Sequence, residues 1–278
     1  MADDGTRMTS QAPAKVNLAL RILARRPDGY HDIETLMVPI SLADELDVEV
    51  SEGEGIEMEC DAPDLPVGPD NLVWRAAAAF MQHAGLRFRT RIALRKRIPH
   101  GAGLGGGSSD AAAVLNALDH LNKTNLGAEK LEEIAGTLGS DIPFFIRSRP
   151  ALCRGRGEVM ADAEIPPARI LLLKPPFPVS TPWAYQAWSP HQTTNGARQF
   201  HGKVELINDL EGPVFQKLLL LPAIKGWLLE QEEVSAAMMS GSGSTLFAVL
   251  RGKAGQLAQR AKDRFGQSLW TTEAALLL

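Results

Sequence analysis

The stretch Pro99-His-Gly-Ala-Gly-Leu-Gly-Gly-Gly-Ser-Ser109 indicates most about how this chain folds. It places five glycines within residues 101–109 and leads into a run of small and apolar residues, 111–121, that is typical of a helix. Glycine has no Cβ, so backbone N–H groups can approach phosphate oxygens closely. The helix start adds unpaired N–H groups and a partial positive charge. The stretch therefore predicts a loop that binds phosphate groups.

Other glycine motifs fit this stretch less well. A P-loop needs a lysine after its last glycine, whereas Gly107 is followed by serine. Gly101, Gly103 and Gly106 have the spacing of a dinucleotide fingerprint, but the residues after 121 predict another helix rather than a second parallel strand. A protein-kinase glycine loop lies in a hairpin with no helix after it. A flexible Gly/Ser linker is not expected to lead directly into a helix start.

The general properties of the chain predict a soluble enzyme. Its 278 residues are enough for one large or two ordinary domains, and its net charge of −4 provides no basic field for nucleic acid. The first ten residues lack the apolar core of a signal peptide, and the longest apolar runs are too short to span a bilayer. Cys60 and Cys153 have no paired spacing. We therefore expect a cytoplasmic protein with a small-molecule substrate, no nucleic-acid or membrane partner, and a monomeric or weakly dimeric state.

In the first half of the chain, periodicity predicts both strands and helices. Asn71 is placed to cap a helix that continues to about residue 83, and Gly139 to end another. The predicted strands are 16–22, 33–40, 45–50 and 90–98, the predicted helices are 71–83, 111–121 and 129–138, and residues 141–146 are expected to be extended.

A domain boundary is predicted at residues 163–167, where Ala, Glu and two prolines separate apolar segments. The expected domains are 1–162 and 163–278. The second contains predicted strands at 169–174, 236–239, 245–250 and 269–272 and predicted helices at 205–220, 223–232 and 254–265. Because strands and helices mix without a regular βαβ rhythm, the pattern favours an α+β fold over a doubly wound sheet.

Several side chains are candidates for chemistry, each with a plainer structural interpretation. Asp141 follows a helix and suits a general base, or a turn aspartate that bonds nearby backbone. Lys15 shares a strand face with Asn17 and could keep Asp141 ionised, lower the pKa of the acceptor hydroxyl or brace a moving phosphate, or be a solvated surface lysine. Tyr30 and His31 follow a turn and suit stacking on a nucleobase, or covering the core edge and capping the turn.

Two further segments are ambiguous from their residues alone. Ser108 and Ser109 could contact phosphate or Mg²⁺, or cap the helix. Asp110 would repel phosphate unless it faces away or meets the metal. The turn Ser240-Gly-Ser-Gly-Ser244 could bring N–H groups to a substrate diphosphate, or be a glycine hairpin or bulge.

Residues 99–113 resemble the second motif of the GHMP kinases, the superfamily of galactokinase, homoserine kinase, mevalonate kinase and phosphomevalonate kinase. Ala12-Pro-Ala-Lys-Val-Asn-Leu18 is similar to the first motif of that superfamily and Ser240-Gly-Ser-Gly-Ser244 to its third. Four further pieces resemble the branch that acts on a cytidine diphosphate ester of methylerythritol. They are Arg26-Pro-Asp-Gly-Tyr-His31, Asn71-Leu-Val-Trp-Arg-Ala-Ala77, Gly139-Ser-Asp-Ile-Pro-Phe-Phe145 and Asn208-Asp-Leu-Glu211.

The resemblance implies a two-domain α+β kinase with its active site in the cleft between the domains. The N-terminal domain would be ribosomal-S5-domain-2-like and would bind ATP, and the C-terminal domain would be a ferredoxin-like α/β plait. The reaction would be ATP- and Mg²⁺-dependent phosphorylation of the 2-hydroxyl of the cytidyl substrate, in the methylerythritol phosphate route to isoprenoid precursors. Two alternatives stay open: a sister GHMP kinase acting on homoserine or mevalonate, and a non-catalytic ligand-binding member of the fold.

The resemblance also implies roles for individual residues, while the metal ligands stay unassigned. Lys15 and Asp141 match the catalytic pair. Tyr30 and His31 match the side chains that hold cytosine, and Asn17, Thr181 and Tyr185 fall where substrate contacts are expected. The implied nucleotide-binding residues are Asn71, Lys96, Pro99, His100, Gly101, Ala102, Gly103, Leu104, Gly105, Gly106, Gly107, Ser108 and Ser109.

Overall fold

The computed structural model describes residues 6–190 and 198–278, in which strands and helices mix, so the predicted α+β class is confirmed. The described strands are β1 (Thr6–Arg25), β2 (His31–Ser51), β3 (Gly55–Cys60), β4 (Arg89–Arg95), β5 (Ala151–Gly155), β6 (Val159–Asp162), β7 (Arg169–Lys174), β8 (Gln199–His201), β9 (Val204–Asn208), β10 (Val234–Met239), β11 (Leu246–Leu250) and β12 (Trp270–Ala275). The described helices are α1 (Leu72–Ala84), α2 (Gly106–Leu121), α3 (Gly127–Leu138), α4 (Ile142–Arg147), α5 (Thr181–Ala187), α6 (Glu211–Lys217), α7 (Leu220–Leu229) and α8 (Leu257–Phe265).

The chain forms two compact units that are not continuous in sequence. The first contains the described residues up to Ala14, together with Leu42–Pro99 and Gly105–Ser148. The second contains the described residues of Lys15–Ser41, His100–Leu104 and Arg149–Leu278. The chain therefore passes between the units several times, and β1, β2 and the glycine stretch each contribute to both. The predicted domains, 1–162 and 163–278, are continuous segments, and that division stays a prediction.

In the first unit, helices pack against one another, and α1 contacts β3, one of three paired strand segments there. β4 pairs antiparallel with the Glu45–Ser51 part of β2 and parallel with β3. Val48 and Ile92 are opposite one another in this pairing and both are fully buried, as the alternating pattern predicts. Helix α1 packs on α2, and α2 packs on α4. These contacts hold α2, whose first turn contains the end of the glycine stretch.

Helix α1 begins where the sequence predicts. The Oδ1 atom of Asn71 accepts a hydrogen bond from Val73 N at 2.9 Å, which satisfies one of the unpaired N–H groups of the first turn. The helix ends at Gly85, whose φ of 64° lies in the left-handed region and lets its N–H reach Met81 O. The predicted capping role of Asn71 is confirmed.

The expectation that residues 141–146 are extended is wrong, because the structure has helix α4 there. Pro143 lies in the first turn, where its missing N–H costs no helical hydrogen bond. The residues from Ile142 to Ile146 are all buried, so the run has no polar face from which a helical period could be read. Short apolar runs of this kind cannot be assigned to helix or strand by periodicity alone.

The second unit is built around an antiparallel sheet with strand order β10-β11-β7-β12. Strand β11 is buried along its whole length, which is why it reads as a continuous apolar run rather than an alternating one. Leu246 and Ala248 of β11 pair with Leu173 and Leu171 of β7, and all four belong to one core cluster. Residues of α7 and α8 join that cluster.

The prediction of a single helix over 205–220 is also wrong. The structure instead has β9, a turn and then α6. Strand β9 runs parallel to β1, with Ile207 opposite Ala19, and antiparallel to β8. The turn after β9 forms because Asn208 Oδ1 accepts a hydrogen bond from Leu210 N at 2.9 Å. Asparagine side chains that bond the backbone two residues on favour turns over helix interiors.

Among the residues that the structure describes, no helix is long and apolar enough to cross a membrane.

Candidate active site

In the second unit, residues 101–104 of the glycine stretch lie against the Ser240–Ser244 turn. Thr245 N donates to Ala102 O at 3.3 Å, and Ser240 Oγ donates to Gly103 O at 3.1 Å. Gly103 has a φ of +75°, and a Cβ there would overlap Ser240 O and stand 2.9 Å from Gly243 O. The backbones of the two segments can approach this closely only because residue 103 is glycine.

Lys15 is buried beside these two segments. The residue is only 4% exposed. Its Nζ donates to Asn17 Oδ1 at 2.6 Å and to Gly103 O at 3.1 Å. Lys15 and Asn17 share a strand face, as the sequence predicts. The interpretation of Lys15 as a solvated surface residue is wrong, because its side chain is buried and contacts Gly103. A buried ammonium in such a position is held in place by its acceptors.

Asn17 is oriented from its other side by β2. Its Nδ2 donates to Thr35 Oγ1 at 2.8 Å, and Thr35 Oγ1 in turn donates to Ala19 O at 2.7 Å. Because Thr35 uses its hydrogen for Ala19, it can only accept from Asn17, and the amide orientation is therefore fixed. That orientation turns Oδ1 toward Lys15, so the amide serves as an acceptor for the ammonium.

Thr181 lies at the start of α5 and contacts the same turn. Its Oγ1 is 2.7 Å from Ser242 Oγ, and Ser180 caps the helix by accepting from Trp183 N. The predicted substrate residues Thr181 and Tyr185 are four positions apart, so they lie on one face of this helix.

An aromatic group, defined here as Tyr30, His31, Tyr185 and Trp188, lies in the second unit at the beginning of β2. The ring of His31 has its centroid 5.5 Å from that of Tyr185 and 6.0 Å from that of Trp188. Tyr30 is 54% exposed, and the guanidinium carbon of Arg156 lies 5.0 Å from its ring centroid. The predicted residues Tyr30, His31 and Tyr185 thus belong to one neighbourhood that offers planar faces.

Burial lowers the pKa of His31, and the nearby charge of Arg25 acts in the same direction. The imidazole is therefore neutral at physiological pH, with one ring nitrogen as donor and the other as acceptor. A neutral histidine of this kind can recognise both a donor and an acceptor on the edge of a nucleobase.

Trp188 and Arg156 are members of this neighbourhood that sequence reasoning missed. Trp188 follows Tyr185 by three residues, a helical spacing that could have indicated it. Arg156 follows Gly155, which pairs with Ile33 in the register between β5 and β2. That register depends on a pairing between segments more than a hundred residues apart, and no local signal reports it.

In the first unit, the later half of the glycine stretch becomes the first turn of α2. Gly105 precedes the helix with a φ of 72°, and no side chain caps the first turn. The turn contains no acidic residue, so the N–H groups at this end of a 16-residue helix are compatible with an anion. A Cβ at Gly106 would stand 3.0 Å from Ile98 Cγ2, so glycine lets the helix start close to the strand-end segment. The predicted phosphate-binding role of these residues stays a prediction.

Lys96 is held between two buried carboxylates. Its Nζ pairs with Asp44 and, at 2.7 Å, with Asp110, which are 0% and 2% exposed. Asp44 also accepts from the backbone N–H groups of Arg97 and Ile98, at 2.5 and 2.8 Å. Asp110 therefore faces a cation, and the positive charge of Lys96 offsets the repulsion that a carboxylate near phosphate would otherwise cause. The ammonium of Lys96 is engaged here, and its predicted nucleotide contact stays a prediction.

Asp110 should make stability depend on pH. Burial raises its pKa to about 7, and Asp44 adds to this while Lys96 opposes it. Because the unfolded carboxyl loses its proton near its ordinary pKa of about 3.9, the folded form binds more protons between about pH 4 and 7. Stability should therefore fall as pH rises through that window.

Asp110→Asn removes this titration. We expect the unfolding free energy of the unmodified protein, relative to this variant, to decrease by up to ~1.4 kcal/mol per pH unit between pH 4 and 7. Denaturant unfolding of both proteins at half-unit pH intervals measures the difference. Parallel stability curves would contradict the assignment.

Asp141 directly precedes α4 and is partly exposed. Its backbone lies at the helix N-cap position, but its side chain caps no N–H of the helix. The plainer interpretation, a turn aspartate bonded to nearby backbone, therefore gains no support at this helix. Asp141 belongs to the first unit and Lys15 to the second. Their predicted convergence at the reacting phosphate stays a prediction.

Two buried oxygens near the start of α2 have no hydrogen-bond partner within the described residues, Ser109 Oγ and Asp110 Oδ1. Oxygen atoms such as these are the ligands that Mg²⁺ prefers. No group of three or more His, Cys, Asp or Glu side chains with metal-binding geometry occurs in the described part of the chain. The expected use of Mg²⁺ stays a prediction.

Comparison with known proteins identifies the class. Residues 71–149 match the family model described as the GHMP kinases N terminal domain. The structure is similar to a crystal structure of 4-(cytidine 5'-diphospho)-2C-methyl-D-erythritol kinase, with a TM-score of 0.82, 37% identity and coverage of 97% of this chain and 99% of that one. A homoserine kinase from Cytophaga hutchinsonii shares the fold at 16% identity, with a TM-score of 0.72 and coverage of 100% and 96%. The fold and the match to this family model thus define a small-molecule kinase of the GHMP class, as the sequence predicts.

Relatives in sequence narrow the class further. A protein of Methylacidiphilum infernorum (isolate V4) named 4-diphosphocytidyl-2-C-methyl-D-erythritol kinase is 42% identical, over 95% of this chain and 94% of its own length. A protein of the same name from Geobacter sulfurreducens is 39% identical, over 96% and 98%. This chain belongs to the family of 4-diphosphocytidyl-2-C-methyl-D-erythritol kinases.

Proposed function

We propose that this protein transfers the γ-phosphoryl group of ATP to the 2-hydroxyl of 4-diphosphocytidyl-2-C-methyl-D-erythritol. The observation that carries the choice of substrate is the aromatic group, in which a neutral, buried His31 lies beside Tyr185 and Trp188. Planar faces together with a donor and an acceptor suit a cytosine ring. Homoserine and mevalonate carry no base and would leave this group unused.

ATP would be held through the first unit. The N–H groups at the start of α2 suit its phosphates, because that turn has neither an acidic residue nor a capping side chain. Ser109 and Asp110 would contribute oxygens to the Mg²⁺ that accompanies ATP, and this ion would neutralise developing phosphate charge. Asn71 is already engaged as a helix cap, so any nucleotide contact would use its remaining hydrogen-bonding capacity.

The chemical step needs a positioned hydroxyl, a proton acceptor and a cation near the phosphoryl group. The 2-hydroxyl oxygen forms the new bond to the γ-phosphorus while the bond from phosphorus to the ADP oxygen breaks, and the hydroxyl proton passes to the Asp141 carboxylate. Lys15, held by Asn17 and Gly103, would supply positive charge to the moving group. Cytosine binding would fix the acceptor sugar so that its hydroxyl lies in line with the phosphoryl group.

An assay of ADP release across a panel of alcohols tests this proposal. The panel contains the cytidyl substrate, homoserine and mevalonate, each at equal concentration with Mg²⁺ and ATP. We expect turnover with the cytidyl substrate and none with homoserine or mevalonate. Turnover that prefers homoserine or mevalonate would replace the proposed substrate, and the lack of ADP release with every alcohol would favour a non-catalytic member of the fold.

Removing the aromatic faces should weaken substrate binding more than chemistry. Tyr30→Ala and His31→Ala are each expected to raise the KM for the cytidyl substrate by about 5- to 150-fold, which corresponds to ~1–3 kcal/mol per stacked base. The KM for ATP should change little. Steady-state kinetics with each substrate varied in turn measures both constants.

Phe200→Ala is the matched control for this prediction. Phe200 is 50% exposed, similar to Tyr30, but it lies on β8 and is not among the residues proposed to contact the substrate. An unchanged substrate KM in both Tyr30→Ala and His31→Ala would remove the cytosine assignment.

A further inference from the structure

The segment Asn208-Asp-Leu-Glu211 connects β9 to α6, and two of its side chains are buried against the end of β10 and the turn that follows it. Asn208 is 1% exposed and Glu211 is 8% exposed. Neither side chain is among those expected to touch ATP or the cytidyl substrate. Burying an amide and a carboxylate costs free energy unless their hydrogen bonds are satisfied, so their partners indicate what they hold in place.

Asn208 bonds the backbone on both sides of Ser240. Its Nδ2 donates to Met239 O at 2.7 Å and to Gly241 O at 2.8 Å, while its Oδ1 accepts from Leu210 N at 2.9 Å. Asparagine is suited to this position because its amide supplies two donors and an acceptor within one short side chain. The two carbonyl groups are therefore fixed relative to the end of β9.

Glu211 holds the same strand end through an N–H group. One carboxylate oxygen accepts from Met239 N at 2.9 Å, and the other pairs with Lys225 Nζ at 2.5 Å. Burial raises the pKa of Glu211, whereas Lys225 and the bond from Met239 lower it. The N–H of Met239 is thus held by Glu211 and its carbonyl by Asn208.

The other side of the turn faces the proposed catalytic lysine. A Cβ on Gly241 would stand 3.4 Å from Lys15 Nζ and 3.2 Å from Asn17 Oδ1. Ser240 Oγ donates to Gly103 O, which also accepts from Lys15 Nζ. A displacement of the turn would therefore move the acceptor that orients the ammonium.

We propose that Asn208 and Glu211 are positioning residues that fix the Ser240–Ser244 turn against Lys15 and Gly103. The inference rests on the proposed function only in that Lys15 acts on the transferred phosphoryl group. Misplacement of a catalytic group by about 1 Å can cost on the order of 10²-fold in rate. Loss of these side chains should therefore lower turnover although neither side chain touches substrate.

The test compares Asn208→Asp with Asp209→Asn. The first variant places a carboxylate oxygen against the carbonyls of Met239 and Gly241, where the donor was. The second is a matched control in the same segment: Asp209 Oδ2 accepts from Ile22 N at 2.7 Å, and asparagine keeps an acceptor there. Backbone hydrogen exchange at Ser240, Gly243 and Thr245 is measured without substrate, and kcat and KM are measured with ATP and the cytidyl substrate.

We expect exchange in the turn to be at least about tenfold faster in Asn208→Asp than in Asp209→Asn, with kcat lowered by about tenfold or more. The KM for the cytidyl substrate should change less than kcat. Equal exchange in the two variants overturns the inference, and so does an unchanged kcat in Asn208→Asp. If the unmodified protein lacks turnover, the proposed function fails, and the exchange comparison still decides this inference.

Glu211→Gln keeps the test decisive if Asn208→Asp does not fold. Glutamine retains an oxygen acceptor for Met239 N but loses the ion pair with Lys225. We expect faster exchange at Met239 and a lower kcat than in Asp209→Asn. Exchange and kcat equal to those of Asp209→Asn would overturn the inference.

Discussion

Replacing Asp141 with asparagine is expected to lower kcat by about 10²–10⁴-fold, the range typical of losing a general base. Asparagine has nearly the same shape but cannot accept the hydroxyl proton at neutral pH. The KM for ATP should stay within about twofold, because asparagine still occupies the position and carries no added charge. Steady-state kinetics of purified Asp141→Asn measures both constants.

The substitution Asp141→Asn should disturb α4 little. The Asp141 side chain does not cap α4, so its replacement removes no hydrogen bond from the first turn of that helix. Asp162→Asn is the matched control, since Asp162 is a surface carboxylate on β6, with a side chain 68% exposed, that pairs with Arg149. We expect that control to retain normal kcat. Near-normal turnover in Asp141→Asn would show that the enzyme works by positioning and electrostatics without this base.

Local signals in the sequence identified the parts of the fold that depend on neighbouring residues. The cap at Asn71 and the bounds of β7 follow from turn chemistry and from the apolar run that β7 contains. The extended structure that the sequence predicts for residues 141–146 is wrong because burial on all sides removes the periodic signal. The prediction of a helix over 205–220 is wrong because tertiary pairing of β9 with β1 outweighs the local helical preference.

The candidate site shows the same division between local and long-range information. Tyr30 and His31 were recognisable because they follow a turn and form part of a motif. The burial of Lys15 cannot be recognised in the sequence. The segments that cover its strand face, at residues 103 and 240, are distant in the chain. The role of Asn208 is hidden from the sequence for the same reason, since its two carbonyl partners lie more than thirty residues later in the chain. Long-range contacts of this kind leave no period in the sequence.

The largest expected effect on stability is that of Gly103→Ala. A φ of +75° strains any residue with a Cβ, and the added methyl group would overlap Ser240 O, a backbone atom that cannot rotate away. Strain and overpacking each cost about 1–3 kcal/mol, so a total loss on the order of 2–6 kcal/mol is expected. Natural proteins have total stabilities of about 5–15 kcal/mol, so such a loss would leave little folded protein on warming.

Gly226→Ala is the control that separates this effect from the general cost of replacing glycine. Gly226 lies inside α7 with open space around its Cβ position, and alanine there favours the helix by up to about 1 kcal/mol. Denaturant unfolding should therefore show an unchanged or higher midpoint for Gly226→Ala and a much lower one for Gly103→Ala. If Gly103→Ala unfolded at the midpoint of the unmodified protein, the close approach of residues 101–104 to the Ser240–Ser244 turn would not exist, and neither would the acceptor arrangement proposed for Lys15. A lower midpoint in Gly103→Ala, with none in Gly226→Ala, ties the stability of the fold to the same backbone contact that orients Lys15, the proposed catalytic lysine.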